Sequence, residues 1–248
     1  MYYITMKIGA VIPLKNERGN TKNMVYSASK IDSLNEIIFI DADSIDHTFE
    51  SVTEWVKEYN DNRMLVMKQT PPYTKFEAIK QAVKNLDSDY VLIWDGDNTI
   101  KSPDIQKMLN IYKSNSNKGN LFMVANRITK DRESGSFRFV NFMGNYLFSF
   151  LMVPILGLRL PDVLSGAKIF PKKIMSEENC LNIYTKDRFG DLTLLSYGRK
   201  NNLKFLSIPV KYKKRSYGSS SISRFRGGYN MISLIIHFIF HGCYKSSL

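Results

Sequence analysis

Two aspartates one residue apart, Asp95 and Asp97, close the run "YVLIWDGDNT" at 90–99. An apolar stretch leads straight into them. Side chains alternate along an extended chain, so positions i and i+2 at a strand end point the same way, and both carboxylates can converge on one object. At about 4 Å and an effective dielectric near 20, two such anions repel by roughly 4 kcal/mol. They need a positive partner or open water: a bound cation, a basic side chain or solvent. An oxygen-only pair suits Mg²⁺ or Mn²⁺ shared with the phosphates of a substrate. Alone, the pattern is also compatible with a polar turn in which Gly96 supplies backbone freedom, so the surrounding elements must decide.

Those elements alternate. "KIGAVIPL" (7–14), "EIIFID" (36–41), "RMLVMK" (63–68) and "YVLIW" (90–94) read as buried strands. Between them "NMVYSASKI" (23–31), "FESVTEWVKEY" (49–59) and "PPYTKFEAIKQAVKNL" (71–86) have helical periodicity, the last with proline at its start. This β-α-β-α-β-α-β order predicts an α/β fold with a mostly parallel sheet flanked by helices. Ligands of such sheets bind at the carboxyl ends of the strands. That rule singles out Pro13, Lys15 and Glu17 after the first strand, Asp41 and Asp43 after the second, and Asp95 and Asp97 after the fourth. Further strands are expected at "NLFMVANR" (120–127), "LSGAKIF" (164–170) and "LKFLSIPVKY" (203–212), with a helix at "DLTLLSYGRK" (191–200) and a loop at "RSYGSSSISR" (215–224).

The 248 residues carry 35 Lys plus Arg against 23 Asp plus Glu, a net charge of +12. An anionic partner follows: nucleic acid, anionic lipid or a phosphorylated substrate. Hydrophobic residues make up 44% of the chain, a globular composition that excludes a disordered one. The only cysteines, Cys180 and Cys243, argue against a disulfide framework and fit a reducing compartment. The N-terminal stretch reads as a first strand of a cytosolic protein rather than a signal peptide.

The ordered set of motifs resembles the family 2 glycosyltransferases of the GT-A fold, and among them the polyprenyl-phosphate sugar synthases. The resemblance rests on "VIPLKNE", on "FIDADSIDHT" with Asp46 and Thr48, on the helix start "KFEAIKQAV", on "DYVLIWDGDN", "LSGAKIF" and "SIPVKY", and on R-x-x-G-x-S at 215–220. It covers residues 7–228. The chain departs from the family at Ala42 and Ser44 around Asp43, at Phe76 in place of a glycine, and at Thr99 in place of a glutamine. The resemblance implies an inverting transfer from a nucleotide-diphosphate sugar, GDP-mannose or a UDP-hexose. Pro13, Lys15, Glu17, Asp41, Asp43 and Asp95 would lie against the nucleotide. Asp97, with Asp95, would hold Mg²⁺ or Mn²⁺ on the diphosphate. Arg215, Gly218 and Ser220 would belong to a loop closing over it.

The acceptor is either a lipid phosphate or a glycan hydroxyl. An ionised phosphate needs cations rather than a base, and Arg127, Arg132 and Arg138 flank the loop after the fifth strand. A hydroxyl needs a base, and by the resemblance Asp191 is the candidate, since the family has an aspartate near its acceptor helix there; Asp162 is available to hold the fold or the sugar. No charge occurs from Phe139 to Leu158, where Asn141, Asn145 and Ser149 form a narrow polar stripe. The uncharged stretch 229–244 would be roughly 24 Å long as a helix, short of the about 30 Å of a bilayer core. Asn230, Ser233, His237, His241 and Tyr244 share one face, with Ile235, Phe238 and Ile239 away from it. A helix lying in the membrane interface is therefore expected, with Lys211, Lys213, Lys214, Arg215, Arg224 and Arg226 toward anionic headgroups; two core helices of a soluble protein are the other reading. His237 and His241 read as part of the polar stripe rather than a metal pair. The resulting outline is a transferase domain at 1–228 and a membrane-associating helix at 229–248, on the cytoplasmic face of the membrane, peripheral or monotopic, with no nucleic-acid partner. Two other classes compete. "DGDNT" fits a phosphatase D-x-D-x-T, but it follows the fourth strand rather than the first and has no later paired-Asp motif. A basic adaptor with a degenerate transferase fold conflicts with the retained Glu17, Asp41, Asp95 and Asp97.

Overall fold

The computed structural model describes residues 6–130, 132–136, 139–175, 189–218 and 224–241. The strands are β1 (Ile8–Leu14), β2 (Glu36–Asp41), β3 (Met64–Lys68), β4 (Tyr90–Ile93), β5 (Leu121–Asn126), β6 (Lys168–Pro171) and β7 (Lys204–Pro209). The helices are α1 (Thr21–Ser29), α2 (Thr48–Tyr59), α3 (Lys75–Lys84), α4 (Ser102–Ser114), α5 (Phe139–Leu151), α6 (Val153–Leu156), α7 (Asp191–Lys200) and α8 (Arg224–His241). One sheet of seven strands runs β3-β2-β1-β4-β6-β5-β7. β1 pairs in parallel with β2 and β4, β2 with β3, and β5 with β7. β6 is antiparallel to both its neighbours, β4 and β5.

The sheet is covered on both sides, which is why its central strands are apolar throughout. Ile8, Ala10, Ile12 and Leu14 of β1 face a core shared with α1, α2 and α4, through Met24, Val52, Ile105 and Met108 among others. Val11 faces the opposite core, built on α3, α7 and the inner sides of α5, α6 and α8. The alternation is the two-residue period of a strand buried on both faces.

Several elements differ from the sequence outline. The helix expected from residue 71 begins at Lys75, after a cis Pro71–Pro72 bond, because Thr74 is its cap and accepts from the Glu77 amide at 3.2 Å. The expected strand at 164–170 begins only at Lys168, and the one at 203–212 stops at Pro209. The apolar run after Phe139 divides at Met152, before the short α6 with Pro154 in its first turn. α8 spans position 228, and Met231, Leu234, Ile235 and Phe238 of its inner side join the core. Ile235 and Phe238, expected toward a membrane, are thus interior; the outward residues are Tyr229, Ile232, Ile236, Ile239 and Phe240. Among the described residues no helix is long and apolar enough to cross a membrane. Cys180, Cys243, Arg138, Ser220 and Tyr244 lie outside the described residues, and the side chains of Arg224, Arg226 and His241 are likewise not described.

Candidate active site

The carboxyl ends of β1, β2 and β4 form one rim. Pairing of Leu14 with Asp41 and of Val11 with Ile93 brings the three strand ends level. The Trp94 amide continues the ladder by donating to Val11 O at 3.0 Å. The turn that follows packs tightly on β1: a Cβ at Gly96 would lie 2.8 Å from the Pro13 carbonyl oxygen. A side chain there would lift the whole turn, so this position needs glycine for close approach rather than for an unusual dihedral.

Asp95 turns inward and meets Lys75 Nζ at 2.6 Å, at the first turn of α3. Gly166 also packs against it: a Cβ there would fall 1.6 Å from Asp95 Oδ2. Burial pushes the Asp95 carboxyl up, but Lys75, through charge and hydrogen bond, with Lys168 and Arg127 behind it, brings it below the usual range. Asp97 behaves oppositely. Burial first, then the neighbouring Asp95 charge, hold its carboxyl above the usual range, against the hydrogen bonds from Thr99. Its Oδ1 accepts from the Thr99 amide at 3.1 Å and hydroxyl at 2.8 Å. Its Oδ2 takes no hydrogen bond among the described residues.

Two more ion pairs stand beneath this couple. Lys168 Nζ donates to Asp191 Oδ1 at 2.5 Å and to the Ser165 carbonyl; the lysine is 1% exposed. Asp191, expected as the base, is thereby tied at the start of α7. Arg127 grips Asp162 with both arms, Nε at 2.7 Å and a terminal nitrogen at 2.9 Å, and its own amide donates to the same carboxylate at 3.0 Å. Its guanidinium also lies 5.3 Å over the Tyr212 ring. Arg127, expected to meet acceptor phosphate, is thus committed to Asp162 and the fold. Arg132 is exposed and lies 5.7 Å over the Phe142 ring, beside α5.

The nucleotide side of the rim is equally ordered. Asp41 holds the turn after β2 by accepting from the Ser44 amide at 3.0 Å and hydroxyl at 2.5 Å. Lys15 donates to the carbonyls of Ala42 and Asp43, the latter at 2.7 Å. Asp43 is exposed with φ of 57°, a conformation that aspartate tolerates better than most. Glu17, 5% exposed, pairs with Arg215 and accepts from Asn20 Nδ2 at 2.6 Å. The loop carrying Arg215 is fastened twice more: Ser216 to Asn20 at 3.1 Å and the Tyr217 hydroxyl to Asp46 at 3.4 Å. Gly218 follows with φ of 73°. Burial raises the Asp46 carboxyl, but hydrogen bonds from Thr48, Arg18 and Tyr217 outweigh it and the net direction is down.

The structure therefore gathers Pro13, Lys15, Glu17, Asp41, Asp43, Asp95, Asp97 and Arg215 at one rim, with Arg127 and Asp191 beneath it. Sequence reasoning gave no role to Lys75 or Lys168, although both sit inside quoted motifs, "KFEAIKQAV" and "LSGAKIF". A broad hollow lined by Ser29, Asp32, Tyr59 and Arg63 lies at the other end of the sheet. There Arg63 is satisfied by Asp61 and by the carbonyls of Ser29, Ile31 and Leu34.

The donor set at Asp95 and Asp97 fits a hard divalent cation. The open Oδ2 of Asp97 offers an anionic oxygen, and among the described residues no group of three His, Cys, Asp or Glu side chains could hold a metal alone. A cation there would need oxygens from a ligand to fill its shell, as Mg²⁺ and Mn²⁺ commonly do with phosphates.

A mostly parallel sheet with an acidic rim of this kind is consistent with the GT-A class of nucleotide-sugar transferase folds. The profile of Glycosyl transferase family 2 matches residues 10–177, well over half of the chain, and the chain belongs to that family. Over 149 residues it is 28% identical to glycosyltransferase AglJ of Haloferax volcanii, covering 59% of this chain and 46% of that protein. The match thus spans about half the length of that relative. The fold resembles mannosyl-3-phosphoglycerate synthase from Rubrobacter xylanophilus, with TM-score 0.61 and 14% identity over 98% of this chain and 77% of that one. It is similar to the same degree, TM-score 0.61 and 16% identity over 98% and 81%, to glucosyl-3-phosphoglycerate synthase from Mycobacterium tuberculosis in complex with Mn²⁺ and uridine-diphosphate-glucose.

Proposed function

We propose that this protein is an inverting, divalent-cation-dependent glycosyltransferase that moves a hexosyl group from a nucleotide-diphosphate sugar to a polyprenyl phosphate at the cytoplasmic face of a membrane. The observation that carries the donor half is Asp97: a carboxylate with one oxygen fixed by Thr99 and the other open, at the carboxyl rim of the sheet. When bound, Mg²⁺ or Mn²⁺ would supply Lewis-acid stabilisation of the leaving nucleoside diphosphate. Asp97 would hold that ion, with Asp95 beside it. Asp41, Glu17 and Lys15 would orient the nucleoside, and the loop at Arg215 would exclude water from the diphosphate.

The lipid half is supported by the outward faces of α5 and α8. Val140, Met143, Tyr146, Leu147 and Phe150 are exposed on the first, and Tyr229, Ile232, Ile236, Ile239 and Phe240 on the second. Arg132 and Arg159 lie over the Phe142 and Tyr146 rings there. Aromatic and aliphatic side chains with cations at their margin suit the headgroup boundary of an anionic bilayer. Because a phosphate oxygen arrives ionised, Asp191 need not leave Lys168 to act as a base. Transfer to a glycan hydroxyl remains the second reading, favoured by the position of Asp191 beneath the rim. The test is purified protein with UDP- and GDP-sugars, Mg²⁺ or Mn²⁺ and polyprenyl phosphate, read by mass. A sugar-lipid is expected; product formed equally well in EDTA, or only on a glycan, would overturn this reading.

A further inference from the structure

We infer that Lys75 is a positioning residue whose ammonium cancels Asp95, leaving Asp97 as the single protein carboxylate that a nucleotide-bound cation meets. The inference rests on the proposed donor chemistry and deepens it. Beneath the rim, the charged side chains fall into couples: Lys75 with Asp95, Lys168 with Asp191, and Arg127 with Asp162. Asp97 alone of these aspartates forms no ion pair among the described residues, and it is the one with an open oxygen. Asp95, 35% exposed, is also held on its protein side. Gly166 abuts its carboxylate so closely that a methyl group would overlap it, and Lys75 holds its Oδ1 at 2.6 Å. A carboxylate held in this way cannot swing outward to a ligand without breaking its bond to Lys75. The D-x-D pair thus divides its labour: the first aspartate anchors the turn to α3, and the second faces the ligand.

Charge compensation predicts opposite effects from its two halves. The experiment measures Mn²⁺-dependent binding of UDP and of GDP by calorimetry, with Mn²⁺ affinity taken from titrations at fixed nucleotide. Asp95→Asn leaves the Lys75 ammonium bare beside the cation and should weaken Mn²⁺ binding roughly ten- to a hundredfold. Lys75→Met leaves the Asp95 carboxylate bare and should tighten Mn²⁺ binding by a comparable factor. The double variant K75M/D95N should return to within about threefold of the unmodified protein, since the paired charges leave together. Asp97→Asn should abolish the Mn²⁺ dependence. A pair that is only structural would weaken binding in both single variants and would overturn the inference. So would D95N behaving like D97N, which would make Asp95 a ligand in its own right. If K75M does not fold, the comparison of D95N with D97N still decides. Unmodified protein that binds both nucleotides with no effect of Mn²⁺ would instead overturn the donor reading itself, and the role of Lys75 with it.

Discussion

Gly166→Ala probes the site without touching an ionisable group. An ideal Cβ at 166 would sit 1.6 Å from Asp95 Oδ2, 2.1 Å from Cγ and 2.4 Å from Oδ1. Carbon atoms pack at about 3.5 Å, so the carboxylate must retreat by roughly 1–2 Å. Its 2.6 Å bond to Lys75 is then lost. Overpacking of this kind costs about 1–3 kcal/mol. The charge-assisted hydrogen bond adds about 1–2 kcal/mol, discounted because Lys75 is 22% and Asp95 35% exposed. The sum, about 2–5 kcal/mol, lowers Tm by about 4–20 °C in a chain of this size. The assay is thermal unfolding of G166A, of Asp95→Ala and of the double variant. All three nearest atoms belong to Asp95, so in the D95A background the same G166A change should cost under about 1 kcal/mol. A G166A protein within about 2 °C of the original, or an undiminished loss in the D95A background, would refute the close packing on which this reasoning depends.

Three further outcomes are expected. Because burial and Asp95 raise the Asp97 carboxyl, the folded state keeps that proton longer than the unfolded chain. The resulting stability is complete below the unfolded value and is lost as pH rises through the folded one. Asp97→Asn should therefore raise Tm of the metal-free protein at pH 7, with the gain vanishing at acid pH; a lower Tm at pH 7 in EDTA contradicts this. Asp162 is 0% exposed and Arg127 12%, so Arg127→Ala should destabilise by about 3–5 kcal/mol in denaturant titrations. A variant of unchanged stability that loses only acceptor affinity would reassign the guanidinium to the acceptor. Finally, Phe150→Ser with Phe240→Ser, at 65% and 77% exposure, should reduce co-sedimentation with anionic vesicles at least tenfold while Tm stays within a few degrees. Unaltered sedimentation removes these faces from the membrane.

The rim was legible in the sequence because the strands that make it are local objects. β2 and β4 are short apolar runs leading into acids and β1 one leading into Lys15-Asn16-Glu17, and a sheet buried on both faces requires apolar runs of that kind. α4 is absent from the sequence-based outline, although Ile105, Met108, Leu109 and Tyr112 of "SPDIQKMLNIYKS" have helical spacing and Pro103 marks its start. The insertion of β6 between β4 and β5, antiparallel to both, leaves no local trace: "KIFP" reads the same in either direction of pairing. The counter-ions escaped for a related reason. Arg127 and Asp162 are 35 residues apart and Lys168 and Asp191 are 23 apart. A basic residue within a motif does not disclose which acid it will meet across the fold. An aspartate pair read as a metal site can therefore have half of its charge already neutralised by the protein.

α5 shows where hydrophobic periodicity misleads. Its stripe of Asn141, Asn145 and Ser149 would ordinarily mark the solvent side of an amphipathic helix. In the structure Asn145 and Ser149 are each 1% exposed. Ser149 donates to the Leu160 carbonyl, and Asn145 donates to Pro161 O at 3.3 Å and accepts from the Leu164 amide at 3.3 Å. Asn141 is exposed, but Asn145 and Ser149 are interior because the chain from 160 to 164, lacking sheet partners, needs its backbone satisfied. This same stretch carries Asp162, so the helix that steadies it also steadies the grip on Arg127. The consequence is that, while Phe148 joins the core, Val140, Met143, Tyr146, Leu147 and Phe150 of α5 face outward. Water alone would oppose that arrangement, since an exposed apolar face this broad is unusual on a soluble monomer. A surface that buries it completes the energetics, and the proposed bilayer would do so without asking either helix to cross it.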